Sequence, residues 1–402
     1  MSVTASRIGS SSLLIEWSGL PRPARSDSHQ GKDKFKAPWE SLKNRFANQE
    51  VAFYNAPIDE KVSCLSATIE LASQVRKSGK FKTALFLGIG GSSLGPMSLL
   101  SALKHKANSG IDCLFMENPD PEDWVYTLKK FDPATTLIVP IAKSGTTFET
   151  LAQFLLALEW LGEARWKEHV IAITDPVKGD LRKFANEAGI RTLPIFPGVG
   201  GRFSLFTPVG LFPAAIAGLD PEALMNGAKK CRDYCEKTPI EKNPLFLIGA
   251  DLLAQFKERP IHVAMPYSTE LKLFGSWFVQ LWAESLGKDG KGFTPLAALG
   301  AVDQHSLLQL LRDGPDDKVV FFLRVTDTEN KVTIPSLKKL ATGSLASISL
   351  PAFDILSGTS LHDLLTIEYQ AIAKVLTNRA RPHFLFQLDK LNEESLGTLT
   401  FA

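Results

Sequence analysis

From about residue 81 the chain repeats one rhythm: a short apolar run, a loop of small residues, then a segment whose apolar positions have helical spacing. TALFLGIG gives way to GSSLGP and then MSLLSALK. TLIVPIA gives way to KSGTT and then FETLAQFLLALEWL, and HVIAITD leads into PVKGDLRKFANEAG. Apolar runs this short predict strands, and strands alternating with helices predict βαβ units around a parallel sheet covered on both faces. After a helical stretch over 221–236 a second series follows. LFLIGADLLAQF, IHVAMPYS, KVVFFLRV and HFLFQL are its apolar runs, with ELKLFGSWFVQLWAESLG as a helix among them. The expected fold class is α/β: two doubly wound parallel sheets, each in a three-layer αβα sandwich. The expected domains cover 61–224 and 225–402, joined near 225, behind an N-terminal extension over 1–60. Residues 20–40, rich in Pro, Ser and charge, predict an irregular segment rather than core.

Composition supports two cores and narrows the partners. The chain has 402 residues, 44% of them hydrophobic, enough for two cores of ordinary size. Its 45 Lys and Arg nearly balance 43 Asp and Glu, and no basic run interleaved with aromatics marks a nucleic-acid surface. Four cysteines are too few for a disulfide scaffold; Cys231 and Cys235 lie one helical turn apart, with no further pair to complete a metal site. No apolar run approaches the ~20 residues needed to span a bilayer, and the N-terminus lacks the apolar core of a secretory leader. A soluble cytoplasmic protein, with no membrane or nucleic-acid partner, is expected.

Three loops are candidates for holding an anion. In open parallel sheets, ligands collect beyond the carboxyl ends of strands, where helix N-termini present unpaired N–H groups. The loop Gly88-Ile89-Gly90-Gly91-Ser92-Ser93-Leu94-Gly95 occupies such a junction. Ser93 stands where a dinucleotide fingerprint needs its third glycine, and the Gly-Lys-Ser/Thr ending of a Walker loop is absent. The glycines allow close backbone approach, and Ser92 and Ser93 add hydroxyls. The second loop places Lys143, Ser144, Thr146 and Thr147 directly before an apolar helix. Its hydroxyls either hold a phosphate or cap the helix, with Thr146 and Glu149 spaced as a capping box. In the third, glycines flank Arg202, which either faces a ligand or forms a surface ion pair.

Candidate acid–base groups come from the second half. Gln280 and Glu284 are four apart on an otherwise apolar helix and so share a face. A carboxylate there, near the helix C-terminus, is badly placed for the helix dipole. It serves either in catalysis or in an internal pair, for instance with Lys288. His305 opens another helical run, with Asp303 or Ser306 as its possible cap.

Taken in order, GIGGSSLGP, KSGTTFET, GGRFS, QLWAESLGK and DQHS resemble the glucose-6-phosphate isomerase family over roughly residues 60–402. The resemblance implies two sugar-isomerase (SIS) domains and reversible isomerisation of glucose 6-phosphate and fructose 6-phosphate through an enediolate, with no cofactor and no metal. It implies that Ser92, Lys143, Ser144 and Thr147 bind the substrate phosphate and that Gly91, Gly201 and Gln280 line the sugar site. It further implies that Arg202 stabilises the enediolate, that Glu284 is the general base and that His305 assists ring opening. In this family the histidine comes from the neighbouring subunit, which implies a homodimer. Ala142 departs from the serine many members carry before the lysine of the second loop. The family's FDQPGVE-type segment, with a further catalytic lysine, does not occur up to Ala402; Lys374 does not match it, and no residue is assigned that role. The competing expectations are a non-catalytic SIS protein that senses sugar phosphates and an isomerase that also accepts mannose 6-phosphate.

Overall fold

The protein is described from a computed structural model covering residues 4–9, 13–18, 29–48 and 50–402. Eleven strands are present among these residues: β1 (Thr4–Arg7), β2 (Leu13–Ser18), β3 (Thr83–Leu87), β4 (Asp112–Met116), β5 (Thr136–Ala142), β6 (Ile171–Thr174), β7 (Arg191–Pro194), β8 (Ile261–Pro266), β9 (Thr294–Ala297), β10 (Lys318–Asp327) and β11 (His383–Lys390). They form two sheets, one of five strands in the order β4-β3-β5-β6-β7 and one of six in the order β1-β2-β11-β10-β8-β9.

The first sheet is parallel throughout. Its strands are buried on both faces, which is why they read as unbroken apolar runs. In β3, Ala84 and Phe86 join Val209, Phe212 and Ile216 of the helix Pro208–Ala217. Leu85 and Leu87 point the other way, to Phe154 and Leu158 of the helix Phe148–Leu161. Each such Val, Leu, Ile or Phe side chain, taken fully from water, contributes about 1.5–3 kcal/mol before conformational entropy is counted.

The second sheet repeats the plan with a difference at its edge. Strands β8, β9, β10 and β11 are parallel, whereas β1 and β2 pair antiparallel with each other, and β2 antiparallel with β11. The N-terminal segment, expected as an extension, therefore supplies an edge to this sheet, driven by burial of Leu13 and Ile15 on alternate positions of β2. Val320 and Phe322 of β10 pack with Tyr369 and Ile372 of the helix Leu361–Asn378. Phe321 and Leu323 face Phe274, Trp277 and Phe278 of the helix Lys272–Leu286, in a core shared with Leu99 and Ala102 of the helix Leu94–Ala102. That shared core joins the two sheets.

Three expectations need correction or comment. Of residues 20–40, expected to be irregular, 20–28 lie outside the described residues and 29–40 belong to the helix His29–Ala47. Trp39, Leu42 and Phe46, at helical spacing, pack with Tyr54, so one apolar face outweighs the polar composition. LFLIGADLLAQF is not a strand: Asn243 Oδ1 accepts from Leu245 N–H and Pro244 opens the helix Pro244–Ala254. The expected junction at 225 falls within the helix Pro221–Lys237, which crosses the helix Glu393–Phe401 at Gly227 and Gly397. Among the described residues no helix is long and apolar enough to cross a membrane.

Candidate functional site

The direction of winding in the first sheet reverses between β3 and β5, because the chain passes from β3 outward to β4 and then returns to the other side. The loop after β3 carries Gly91 and Ser92, and the loop after β5 carries Lys143, Ser144 and Thr147, so both candidate anion loops emerge at this reversal. The two serines of the first loop have separate fates. Ser93 is buried, its Oγ donating to Glu117 Oε1 just beyond β4, whereas Ser92 forms no side-chain hydrogen bond among the described residues. Ser92 remains available to a ligand.

In the second loop Thr147, not Thr146, occupies the N-cap of the helix Phe148–Leu161, and its side chain makes no capping bond. The expected Thr146–Glu149 capping box does not form; Thr146 instead donates its N–H to Ser144 Oγ at 3.2 Å. The hydroxyls of Ser144 and Thr147 lie 3.4 Å apart. Gly145 adopts φ +67° and abuts Gly179, where a Cβ would come within 2.9 Å of the Gly179 Cα, so the loop's shape depends on glycine. Burial pushes the Lys143 ammonium below its ordinary pKa, partly opposed by Asp175 at the end of the next strand. Asp175 was not singled out in the sequence; its position directly after HVIAITD is the signal that could have found it.

The third loop closes over the first. A Cβ on Gly91 would lie 2.3 Å from the carbonyl carbon of Gly201 and 2.5 Å from the nitrogen of Arg202. Ser204 Oγ donates to Gly201 O at 2.6 Å and stands 3.2 Å from Gly91 O, fixing both loops. Arg202 reaches across to the second sheet's helix: its Nη1 donates to Glu284 Oε1 at 2.9 Å and its Nε to Ser285 Oγ at 2.7 Å. Glu284 therefore pairs with Arg202 rather than with Lys288. Gln280 Nε2 donates to Glu284 Oε2 at 3.2 Å and lies 3.0 Å from where a Cβ on Gly90 would be. Ser285, also missed in the sequence, accepts from the guanidinium Nε and so orients it.

The Arg202 side chain is 16% exposed and that of Glu284 52%, so a held cation stands beside a carboxylate open to a ligand. The fold thus brings Gly91, Ser92, Gly201, Arg202, Gln280 and Glu284 together, with the loop of Lys143, Ser144 and Thr147 on the adjoining strand. It does not bring His305 to them. That residue is exposed in the first turn of the helix Gln304–Asp313, and its side chain forms no hydrogen bond or ion pair among the described residues. Asp303 stands at the N-cap, but its carboxylate accepts backward from Leu299 N–H. A cavity of about 300 Å³ lies nearby, lined by Phe203, Trp277, Phe278, Phe321 and other apolar side chains; none of the candidate polar groups lines it.

Residues 56–349 match the family Phosphoglucose isomerase. The chain is 40% identical to glucose-6-phosphate isomerase of Rubrobacter xylanophilus, over 84% of this chain and 78% of the relative. It is 35% identical to that of Carboxydothermus hydrogenoformans, over 94% and 84%. Among solved structures, a hypothetical protein of Thermus thermophilus superposes with a TM-score of 0.80 at 31% identity, covering 92% of this chain and 88% of that one. A glucose-6-phosphate isomerase of Chlamydia trachomatis superposes with a TM-score of 0.67 at 23% identity over 83% and 65%, a likeness of fold. With the family match spanning most of its length, this chain belongs to the phosphoglucose isomerase family.

Proposed function

We propose that this protein interconverts D-glucose 6-phosphate and D-fructose 6-phosphate, a step shared by glycolysis and gluconeogenesis. The observation that carries the reading is the Arg202–Glu284 contact beside two hydroxyl-bearing loops at one sheet reversal. Such an isomerisation needs a base that reaches two adjacent carbons, a cation for the developing charge and a handle on the substrate. Glu284 takes the proton from C2, and the electron pair forms the C1–C2 double bond while the C1 oxygen becomes an enediolate oxygen beside Arg202. Glu284 returns the proton to C1, the O2 hydroxyl proton passes to O1, and C2 becomes the carbonyl. Ser92, Lys143, Ser144 and Thr147 hold the phosphate, Gly91, Gly201 and Gln280 line the sugar, and phosphate binding energy is applied to orientation.

The same proposal includes a homodimer in which His305 assists ring opening in the partner's site, which agrees with its exposure away from Glu284. It also includes units over 61–224 and 225–402 behind residues 1–60, whose strands β1 and β2 add to the sheet of the second unit, and a cytoplasmic location, where charged sugar phosphates are retained by the membrane. Relatives of 35–40% identity bear the isomerase name, which does not favour the sensor reading. The test is to supply glucose 6-phosphate and follow fructose 6-phosphate. Turnover supports the proposal; binding of fructose 6-phosphate without turnover overturns it in favour of a sensor. Equal turnover of mannose 6-phosphate would mark a broader isomerase.

A further inference from the structure

The second sheet has a reversal of its own. Its chain passes from β8 outward to β9, then returns to the other side of β8 as β10 and continues to β11. The crevice beyond the carboxyl ends of β8 and β10 is therefore the counterpart of the place where the two candidate phosphate loops meet in the first sheet. A cavity of about 270 Å³ occupies it, lined by the residues that follow β8 and by the end of β10.

Its chemistry is cationic. Arg324, on β10, is 9% exposed, and the single hydrogen bond of its guanidinium among the described residues runs from Nη2 to Thr366 Oγ1 at 2.8 Å. The guanidinium lies 4.6 Å from the centre of the Tyr369 ring. No carboxylate forms an ion pair with it among the described residues, and Glu16 of β2 acts on it only from beyond contact distance. A buried guanidinium without a contacting counter-charge is costly unless something else supplies one. Lys104 and His362 reach the same cavity and likewise form no ion pair among the described residues. The carboxylate in the lining, Glu270, stands 3.4 Å from His105 Nε2. Ser268 opens the turn that leads into the helix Lys272–Leu286, and its hydroxyl caps nothing, so this strand-to-helix junction also keeps a free donor.

We infer that this cavity binds a small phosphorylated organic anion at a site separate from the one holding Glu284. Fourteen residues of largely helical chain separate Glu270 from Glu284, about 20 Å at helical rise, so one ligand of this size cannot occupy both. The volume, below that of pockets for drug-sized ligands, suits a phosphate ester on a short carbon chain.

Isothermal titration of the full chain with inorganic phosphate tests this. The wild type is expected to bind at two sites. K143A is expected to retain the second, and the double variant K104A/H362A to weaken it at least tenfold with isomerase kcat unchanged. R324Q, with its fold checked by thermal denaturation, is expected to lose it. A single site abolished by K143A, or a second site indifferent to K104A/H362A, would overturn the inference. Repeating the titration with glycerol 3-phosphate separates the sources: tighter binding than phosphate supports an organic ester, and binding no tighter overturns that part.

Discussion

Arg202 Nη1 lies 2.9 Å from Glu284 Oε1, although 82 residues separate them and they belong to elements of different sheets. The contact depends on two close approaches: the backbone of Gly91 against that of Gly201, and the helix Leu94–Ala102 against the helix Lys272–Leu286 in one core. The cation is held by Ser285 and the carboxylate by Gln280, so both groups are oriented before substrate arrives.

Replacing Glu284 by Gln keeps the shape and removes the carboxylate proposed as the base. The expected result is a fall of about 10²–10⁴-fold in kcat with binding of a sugar-phosphate inhibitor nearly unchanged. Steady-state kinetics and inhibitor titration on one preparation check it, and near wild-type turnover would remove Glu284 from the base role.

Arg202→Ala is expected to cost about 3–4 kcal/mol of transition-state stabilisation, read from kcat/KM. Arg202→Lys restores the charge but not the fork that reaches Glu284 and Ser285 together, so it should recover only part of the loss. Ser285→Ala should lower kcat while Arg202→Ala/Ser285→Ala is no worse than Arg202→Ala alone, because Ser285 acts through the guanidinium.

Two neighbouring glycines should answer differently to the same methyl group. Gly91→Ala places Cβ 2.3 Å from the Gly201 carbonyl carbon, backbone against backbone, and is expected to destabilise by about 1–3 kcal/mol. Gly201→Ala meets nothing within 4 Å and should stay within about 0.5 kcal/mol of wild type. Thermal denaturation of both variants decides the point.

Lys143 should leave a signature at alkaline pH. Burial lowers its pKa in the folded protein, so the unfolded chain holds that proton more firmly. Its contribution to stability therefore rises with pH between the lowered value and the ordinary 10.5, the reverse of a lysine held by a salt bridge. Substrate affinity should move the opposite way, KM rising as the ammonium loses its proton. In Lys143→Arg that alkaline rise in KM should disappear.

If His305 serves the neighbouring subunit, two inactive variants should complement. Mixing Glu284→Gln with His305→Ala after dissociation and reassociation regenerates one intact site per mixed dimer, about a quarter of wild-type activity for random pairing. Absence of any recovery in verified mixed dimers would remove the cross-subunit role.

The local chemistry of the candidate site was legible because it is local. Gly91 and Ser92, and Lys143, Ser144 and Thr147, each lie within one strand-to-helix loop, where a few adjacent residues decide what the backbone and hydroxyls can offer. The strand and helix periods around them were legible for the same reason, since burial on both faces writes an unbroken apolar run into β3 and β5. The helix Pro244–Ala254 was misread because an apolar run of that length carries no periodic signal, and its Asn243 cap decides the matter.

What only the tertiary structure decided is which groups meet. By itself the sequence determined the α/β class, the hydroxyl-bearing loops between strand and helix and a carboxylate on a helical face. It left Glu284 open between catalysis and a pair with Lys288, because helical spacing makes residues four apart the default partners. Folding chose Arg202 instead, through the Gly91–Gly201 contact and a core shared by two sheets. The same is true of Ser93, whose hydroxyl looks equal to that of Ser92 in the sequence yet is consumed by Glu117 from the adjacent strand's loop. Long-range packing fixes these pairings through close backbone approach and burial, and neither has a spacing that a linear sequence can display.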